Sequence, residues 1–271
     1  MHVGIVIPLK SKKISRDWQV TCQSLHATLS SIENQTNRSF TAIVVGHEKP
    51  SFLEHDFPDI MFESIDIQPP DRASKDFTHQ KLVEDKNLKI VTGIKSLRSK
   101  IKVDFWYQID ADDLLHSEFV NTVTKLNVSA ALIDNGYILF KNSEKIIKTN
   151  EMSQYCGSTS ILADHLINLP AVIDLQSIKR VPWASVAHKN MKSYLQEKHA
   201  GDYDILSPYL LCYVLSSGDN ISDSWRNSFY QRICHFFKPY VKGKKIPKDL
   251  ALKFSLNHNV TNKKSVRSST L

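Results

Sequence analysis

The run Asp110-Ala111-Asp112-Asp113 follows directly on the apolar stretch Val103-Asp-Phe-Trp-Tyr-Gln-Ile109. Two carboxylates one residue apart, with a third beside them, offer several hard oxygen donors within a few ångströms. Such donors suit Mg²⁺ or Mn²⁺, which proteins hold by one or two carboxylates together with substrate phosphates. An Asp-rich turn can also be merely solvated, or can cap a helix starting at Leu114. The buried strand in front of it and the α/β units upstream favour chemistry, because ligands of open α/β sheets collect beyond the carboxyl ends of the strands.

The elements that would position this cluster can be read from hydrophobic spacing. Val3 to Leu9 is a β-rich apolar run, and Lys10 to Asp17 is a polar break. Trp18, Cys22, Leu25, Leu29 and Ile32 then recur at three and four, which predicts an amphipathic helix capped by Asp17. Phe40 to Gly46 is a second buried run, so the chain opens β-α-β, and its unbroken hydrophobics suit a parallel sheet covered on both faces. A third strand is predicted over Met61 to Ile67, stopped by Pro69-Pro70. A helix is predicted over Asp85 to Ser99, and the strand ending in the acidic cluster follows it.

The chain is long enough for one large domain, and no internal repeat or Pro/Gly/Ser-rich linker divides it before residue 240. With 41% hydrophobic and 23% charged residues, eight Gly and ten Pro, it is neither collagen-like nor low-complexity. No apolar run approaches the length of a membrane span, and the start lacks the pattern of a secretory leader, so a cytoplasmic location is expected. Cys22, Cys156, Cys212 and Cys234 are widely separated and predict reduced, mostly buried thiols.

The net charge of +7 is unevenly placed: Trp225 to Leu271 carries eleven Lys and Arg against Asp249 alone, a net +10 that leaves −3 on residues 1–224. With Trp225, Phe229, Tyr230, Phe236, Phe237 and Tyr240 interleaved, this basic stretch fits an anionic membrane surface better than a nucleic-acid groove. A solvated helix with a basic end is the plainer alternative.

In order and spacing, these segments resemble the GT-A glycosyltransferases, above all bacterial family-2-like members. Val3-Gly-Ile-Val-Ile-Pro-Leu-Lys10 is similar to their first strand and nucleotide loop, and Leu25-x-x-x-Leu29-Ser-Ser-Ile-Glu-Asn-Gln35 to their first helix. Phe40 to Glu48 resembles the second strand, and Tyr107 to Asp113 the metal-binding motif. Cys156-Gly-Ser-Thr-Ser-Ile161 and Gly218-Asp-Asn-Ile-Ser222 resemble a family-A or rhamnosyltransferase-like subgroup. The resemblance spans about residues 3–224. It implies a GT-A-like (Rossmann-like) α/β fold with a mixed central sheet flanked by helices, a nucleotide-binding half over 1–113, an acceptor half over 114–224, and a basic C-terminal helical appendage over 225–271.

The implied activity is metal-dependent transfer of a sugar from a UDP-, GDP- or dTDP-linked donor to a saccharide or glycolipid, with Mn²⁺ or Mg²⁺ compensating the pyrophosphate leaving group. By the same resemblance Asp112 is the direct metal ligand, Asp110 contacts ribose or metal, and Asp113 orients the sugar. Pro8, Lys10 and Glu48 contact the nucleotide. Lys86 and Lys89, one turn apart, face the diphosphate. His188 is expected as a late metal ligand or as the base. The family's Glu-Asp pair, which supplies the base, has no counterpart between residues 150 and 200, and Asp164 is its weak substitute. Gly157, Ser158 and Thr159 form a small polar turn for hydroxyls, and Trp183 and Trp225 offer stacking faces or core packing.

Two rival functions differ in class. A sugar-phosphate nucleotidyltransferase also pairs Asp residues with Mg²⁺, but Pro8 to Lys13 contains no Gly for a phosphate loop. A non-catalytic basic module would bind lipid or nucleic acid through the tail, yet nothing in residues 1–224 resembles a nucleic-acid-binding motif, and no nucleic acid is expected.

Overall fold

The structure is a computed structural model that describes residues 1–141, 145–215 and 243–256. In chain order the elements are β1 (Val3–Pro8), α1 (Trp18–Glu33), β2 (Phe40–Gly46), α2 (Leu53–Asp56), β3 (Met61–Ser64), α3 (His79–Arg98), β4 (Phe105–Gln108), β5 (Leu114–Leu115), α4 (Phe119–Val123) and β6 (Ala130–Leu132). They continue with β7 (Gly136–Phe140), β8 (Lys145–Thr149), β9 (Ser160–Ala163), α5 (Pro182–Ser185), α6 (Met191–Lys198), β10 (Tyr203–Ile205), β11 (Leu211–Leu215), β12 (Lys244–Lys245) and α7 (Lys248–Lys253).

Seven strands form the main sheet in the order β10-β6-β9-β4-β1-β2-β3, and all run parallel except β9, which is antiparallel to both neighbours. Every residue of β1 is buried. Ile5 and Ile7 face the layer that holds Leu25, Leu29 and Ile32 of α1, while Val6 faces α3 with Ile43, Ile94 and Trp106. Both faces of the sheet are thus covered, which is why its strands read as unbroken apolar runs. Asp17 caps α1, its carboxylate accepting from the amides of Gln19 at 2.8 Å and Val20 at 3.2 Å.

Three boundaries differ from the sequence expectation. β3 ends at Ser64, since after the Ile65 amide bonds to the Gly46 carbonyl the chain leaves the ladder. α3 starts at His79, capped by Thr78, because its first turns are mostly polar and carry too little apolar periodicity to be seen. Leu114–Leu115 is a short strand, antiparallel to β11, where a helix was the alternative reading of the Asp-rich turn.

α3 lies close against the sheet through Gly93. A Cβ there would fall 2.6 Å from Val6 Cγ1 and 2.9 Å from Val45 Cγ2. A larger residue would push the helix that carries Lys86 and Lys89 off its seat.

A second sheet, β12-β8-β7-β11-β5, packs beside the first. The stretch 243–256, placed by sequence in an appendage, belongs to this body: β12 pairs with β8, and buried Phe254 packs edge-on against His116 and Tyr137. The six tail aromatics, Cys234, Gly218–Ser222, and Arg226, Arg232, Lys238, Lys242, Lys263, Lys264 and Arg267 lie outside the described residues. Cys22, Cys156 and Cys212 are free thiols. Among the described residues no helix is long and apolar enough to cross a membrane.

Candidate active site

The carboxyl ends of β1 and β4 open onto a cavity of about 950 Å³. The turn after β4 is closed by the Asp113 amide on the Asp110 carbonyl at 3.0 Å, and Asp110 and Asp112 both line the cavity. The antiparallel direction of β9 brings in the opposite wall. Tyr107 lies opposite Ile161, so the residues just before β9, Cys156 to Thr159, arrive at the same edge as Asp110. Gln108 Nε2 donates to the Gly157 carbonyl, the Asp110 amide donates to Ser158 Oγ at 2.9 Å, and Tyr107 Oη donates to the Ser158 carbonyl at 2.7 Å.

The same strand direction removes Asp164, expected as a substitute base, from the site. It follows β9 and so lies at the far edge, where its amide bonds to the Asp104 carbonyl and its carboxylate takes Arg98 Nε at 2.9 Å and Trp106 Nε1 at 2.6 Å. Asp113 does not reach the cavity either. It is fully buried behind the turn, its Oδ2 accepting from Ser158 Oγ at 2.7 Å and Cys156 Sγ at 2.9 Å. Burial, reinforced by Asp112 and Asp110, pushes its carboxyl well above the usual range, and burial likewise raises the Cys156 thiol. Asp113 therefore braces the turn, and it does not face the cavity, where the resemblance would have it orient a sugar.

Lys86 and Lys89 both line the cavity, with different partners. Lys86 Nζ is ion-paired with Asp110 and lies 3.0 Å from where a Cβ on residue 157 would be, so a glycine there lets the ammonium sit against the loop. Burial alone would lower the Lys86 pKa, but the Asp110 carboxylate outweighs it and the net shift is upward. Lys89 is almost completely buried on Asp85, at 2.5 Å, and burial draws its pKa down. Asp85, one turn before Lys89, was not singled out from the sequence; the i,i+4 spacing of opposite charges was the available signal.

Pro8 and Lys10 line the cavity as expected. Glu48 does not; its carboxylate accepts from the Lys12 amide at 3.1 Å, tying the loop after β1 to the end of β2. Beside it, His47 Nε2 donates to the Ile67 carbonyl at 2.8 Å, and the residue does not line the cavity. Trp183 lines the cavity and also anchors to it, its Nε1 donating to Ser160 Oγ at 2.7 Å.

His188 lines the cavity from the other half of the chain, at the start of the 3₁₀ turn His188–Asn190. Its Nδ1 lies 2.7 Å from the Ser153 carbonyl oxygen. Among the described residues no three His, Cys, Asp or Glu side chains gather into a ready metal-binding group, so His188 shares the cavity with Asp110 and Asp112 but does not complete their ligand set. The donors present fit a divalent ion of the kind held by one or two carboxylates plus the oxygens of a bound diphosphate.

Fold and cavity together define a mixed α/β protein: a central sheet flanked by helices, with an acidic turn at the carboxyl edge of its central strands. Among solved structures the chain is similar to S. aureus TarS residues 1–349, at 13% identity and a TM-score of 0.47, covering 100% of this chain and 76% of that one. It is also similar to the same protein solved with UDP (13% identity, TM-score 0.46, 81% of this chain and 62% of that one) and with UDP-GlcNAc (14% identity, TM-score 0.45, 79% and 58%). No protein-family description and no curated protein matches the sequence.

Proposed function

We propose that the chain is a metal-dependent glycosyltransferase that moves a sugar from a UDP-, GDP- or dTDP-linked donor to a hydroxyl of a saccharide or glycolipid acceptor. The observation that carries this reading is the meeting of the Asp110-x-Asp112 carboxylates, the Lys10 and Lys86 cations and the His188 imidazole on one cavity at the carboxyl edge of the sheet. Pro8, Lys10 and Lys86 receive the nucleotide diphosphate on the side of residues 1–113, and the acceptor enters beside Trp183 and His188. Asp110 and Asp112 hold Mn²⁺ or Mg²⁺, which when bound with the donor compensates the charge of the departing diphosphate.

In the transfer, the acceptor oxygen bonds to the anomeric carbon. The bond from that carbon to the diphosphate oxygen breaks with its electron pair on the leaving group, and the acceptor proton passes to Nε2 of His188. Lys86 stays beside the phosphates as a fixed positive charge. A cytoplasmic setting, with the basic tail at the inner membrane face beside a lipid-linked acceptor, belongs to the same proposal, as does a role in surface polysaccharide or glycolipid assembly.

The test is release of nucleoside diphosphate from a panel of UDP-, GDP- and dTDP-sugars, with and without Mn²⁺. Slow, metal-dependent release from one class of donor is the expected result. Pyrophosphate release from a nucleoside triphosphate and a sugar 1-phosphate would replace the reading with nucleotidyl transfer. No turnover of any donor under either condition would leave only a binding module.

A further inference from the structure

His188 does not sit in the cavity wall by itself. Its Nδ1 faces the carbonyl oxygen of Ser153 at 2.7 Å, and a carbonyl only accepts, so in the neutral ring Nδ1 carries the proton and Nε2 keeps its lone pair. Ser153, in the 3₁₀ turn Met152–Gln154, is held in turn: its amide at 3.1 Å and its hydroxyl at 2.8 Å both donate to Asp134 Oδ1. The other oxygen, Asp134 Oδ2, accepts from Lys192 Nζ at 2.9 Å, and Lys192 lies in the first turn of α6, four residues beyond His188.

Asp134 lies two residues beyond the end of β6, after Ile133, whose amide bonds to the Thr159 carbonyl at 2.7 Å. Its carboxylate therefore reaches the same sheet edge as the acidic turn, and with only 4% of the side chain exposed it is nearly sealed from water. From there it grips the segment that supplies the acceptor of His188 and the helix that His188 leads into. Burial would raise the Asp134 pKa, but Lys192 and Ser153 outweigh it and the net shift is downward, while the bond to Asp134 raises Lys192. Both shifts describe a formed ion pair.

We propose that Asp134 is a positioning residue which, through Ser153 and Lys192, locks His188 as the Nδ1–H tautomer and so presents Nε2 to the cavity as a proton acceptor. The proposal rests on the glycosyl-transfer reading for its consequence, since a base must offer a lone pair to the acceptor hydroxyl. Its structural part stands on geometry alone. An imidazole whose two nitrogens meet only water has no such constraint and exchanges between tautomers; His188 is itself exposed, but a carbonyl that cannot donate, fixed by a buried carboxylate, holds its Nδ1 and removes that freedom.

The experiment is long-range ¹⁵N correlation of the imidazoles in the full ¹⁵N-labelled chain, with His188 identified by the signal missing from His188→Gln. The expected wild-type result is a protonated Nδ1 and a bare Nε2. In Asp134→Ala and in Lys192→Met the signal should move toward the Nε2–H form, and Asp134→Asn, which keeps an acceptor for Ser153, should fall between. Where a donor turns over, Asp134→Asn should lower kcat by roughly 10- to 100-fold with the donor KM nearly unchanged. An Nε2–H His188 in the wild type overturns the proposal. So does an unchanged tautomer in folded Lys192→Met and Asp134→Asn, and these two decide the matter even if Asp134→Ala does not fold. Failure of every nucleotide sugar to react would remove the glycosyl-transfer reading and leave the tautomer result to stand or fall separately.

Discussion

Replacing Lys86 by Met keeps the length and apolar stem of the side chain and deletes its charge. In the wild type that charge is ion-paired with Asp110, both side chains being about a quarter to a third exposed, at 26% and 30%. A pair that is partly buried but still reached by water contributes on the order of 1 kcal/mol to stability. The melting temperature of Lys86→Met should therefore fall by less than about 4 °C in a chain of this size.

Nucleotide binding should respond far more. In the proposed function a diphosphate in the cavity takes from Lys86 a charge-assisted hydrogen bond, worth about 1.5–3 kcal/mol. Its loss weakens binding roughly 10- to 150-fold. Calorimetric titration of UDP and GDP in the presence of Mn²⁺ measures this, and the two terms are separable because only one depends on ligand. The variant should also bind Mn²⁺ alone more tightly, since Asp110 no longer has an ammonium competing for its oxygens. Unaltered nucleotide affinity combined with a large drop in melting temperature would refute the argument and make Lys86 a structural cation.

Asp112→Ala should abolish Mn²⁺-dependent nucleotide binding while leaving the circular dichroism spectrum intact; undiminished metal-dependent binding sinks the ligand assignment. Gly93→Ala should destabilise the fold by about 1–3 kcal/mol in denaturant unfolding, since its methyl would meet Val6 and Val45 at 2.6 and 2.9 Å; an unchanged midpoint would mean that α3 is not seated as described. Replacing Arg226, Arg232, Lys238 and Lys242 by Gln should reduce co-sedimentation with anionic vesicles and leave binding to neutral vesicles unchanged, each basic residue near the surface being worth about 1 kcal/mol before screening. This design spares residues 243–256, whose removal would strip Phe254 from Tyr137 and confound the result.

Much of residues 1–113 was legible because its signals are local. The unbroken apolar runs of β1 and β2, the heptad-like spacing of α1 and the Asp17 cap depend on neighbours within a few residues, and all three appear where the sequence puts them. Asp110 and Asp112 could be singled out for the same reason, as the end of an apolar strand is visible in one dimension. On the other wall Gly157, Trp183 and His188 could be singled out as residues, but not where they would sit, because that depends on strand direction. Nothing in Ser160–Ala163 says that β9 runs against its neighbours, yet that direction puts Cys156 to Thr159 beside Asp110 and sends Asp164 to the far edge. Asp134 gave no local signal at all: it is a single acid between apolar strands, and its meaning comes from Ser153 and Lys192, which only the fold brings to it.

Asp113 shows the same dependence from the inside. A carboxyl group with no exposed surface and no hydrogen-bond partner for Oδ1 among the described residues is costly, about 1–3 kcal/mol for the unmet oxygen alone. Packing by itself would favour an apolar residue at that position. What the carboxyl group provides is a shared acceptor: Ser158 Oγ donates to it while accepting from the Asp110 amide, and Cys156 Sγ donates to the same oxygen. One buried oxygen thus ties the turn that carries Asp110 and Asp112 to the loop that carries Gly157, two segments more than forty residues apart in sequence. Lys86 reaches Asp110 against Gly157, where a Cβ would crowd its ammonium, so the spacing between turn and loop also sets where the cation stands. In the proposed function two carboxylates and a lysine stand in fixed relation to a diphosphate, which needs that spacing constant, and the buried Asp113 supplies it at the expense of local stability.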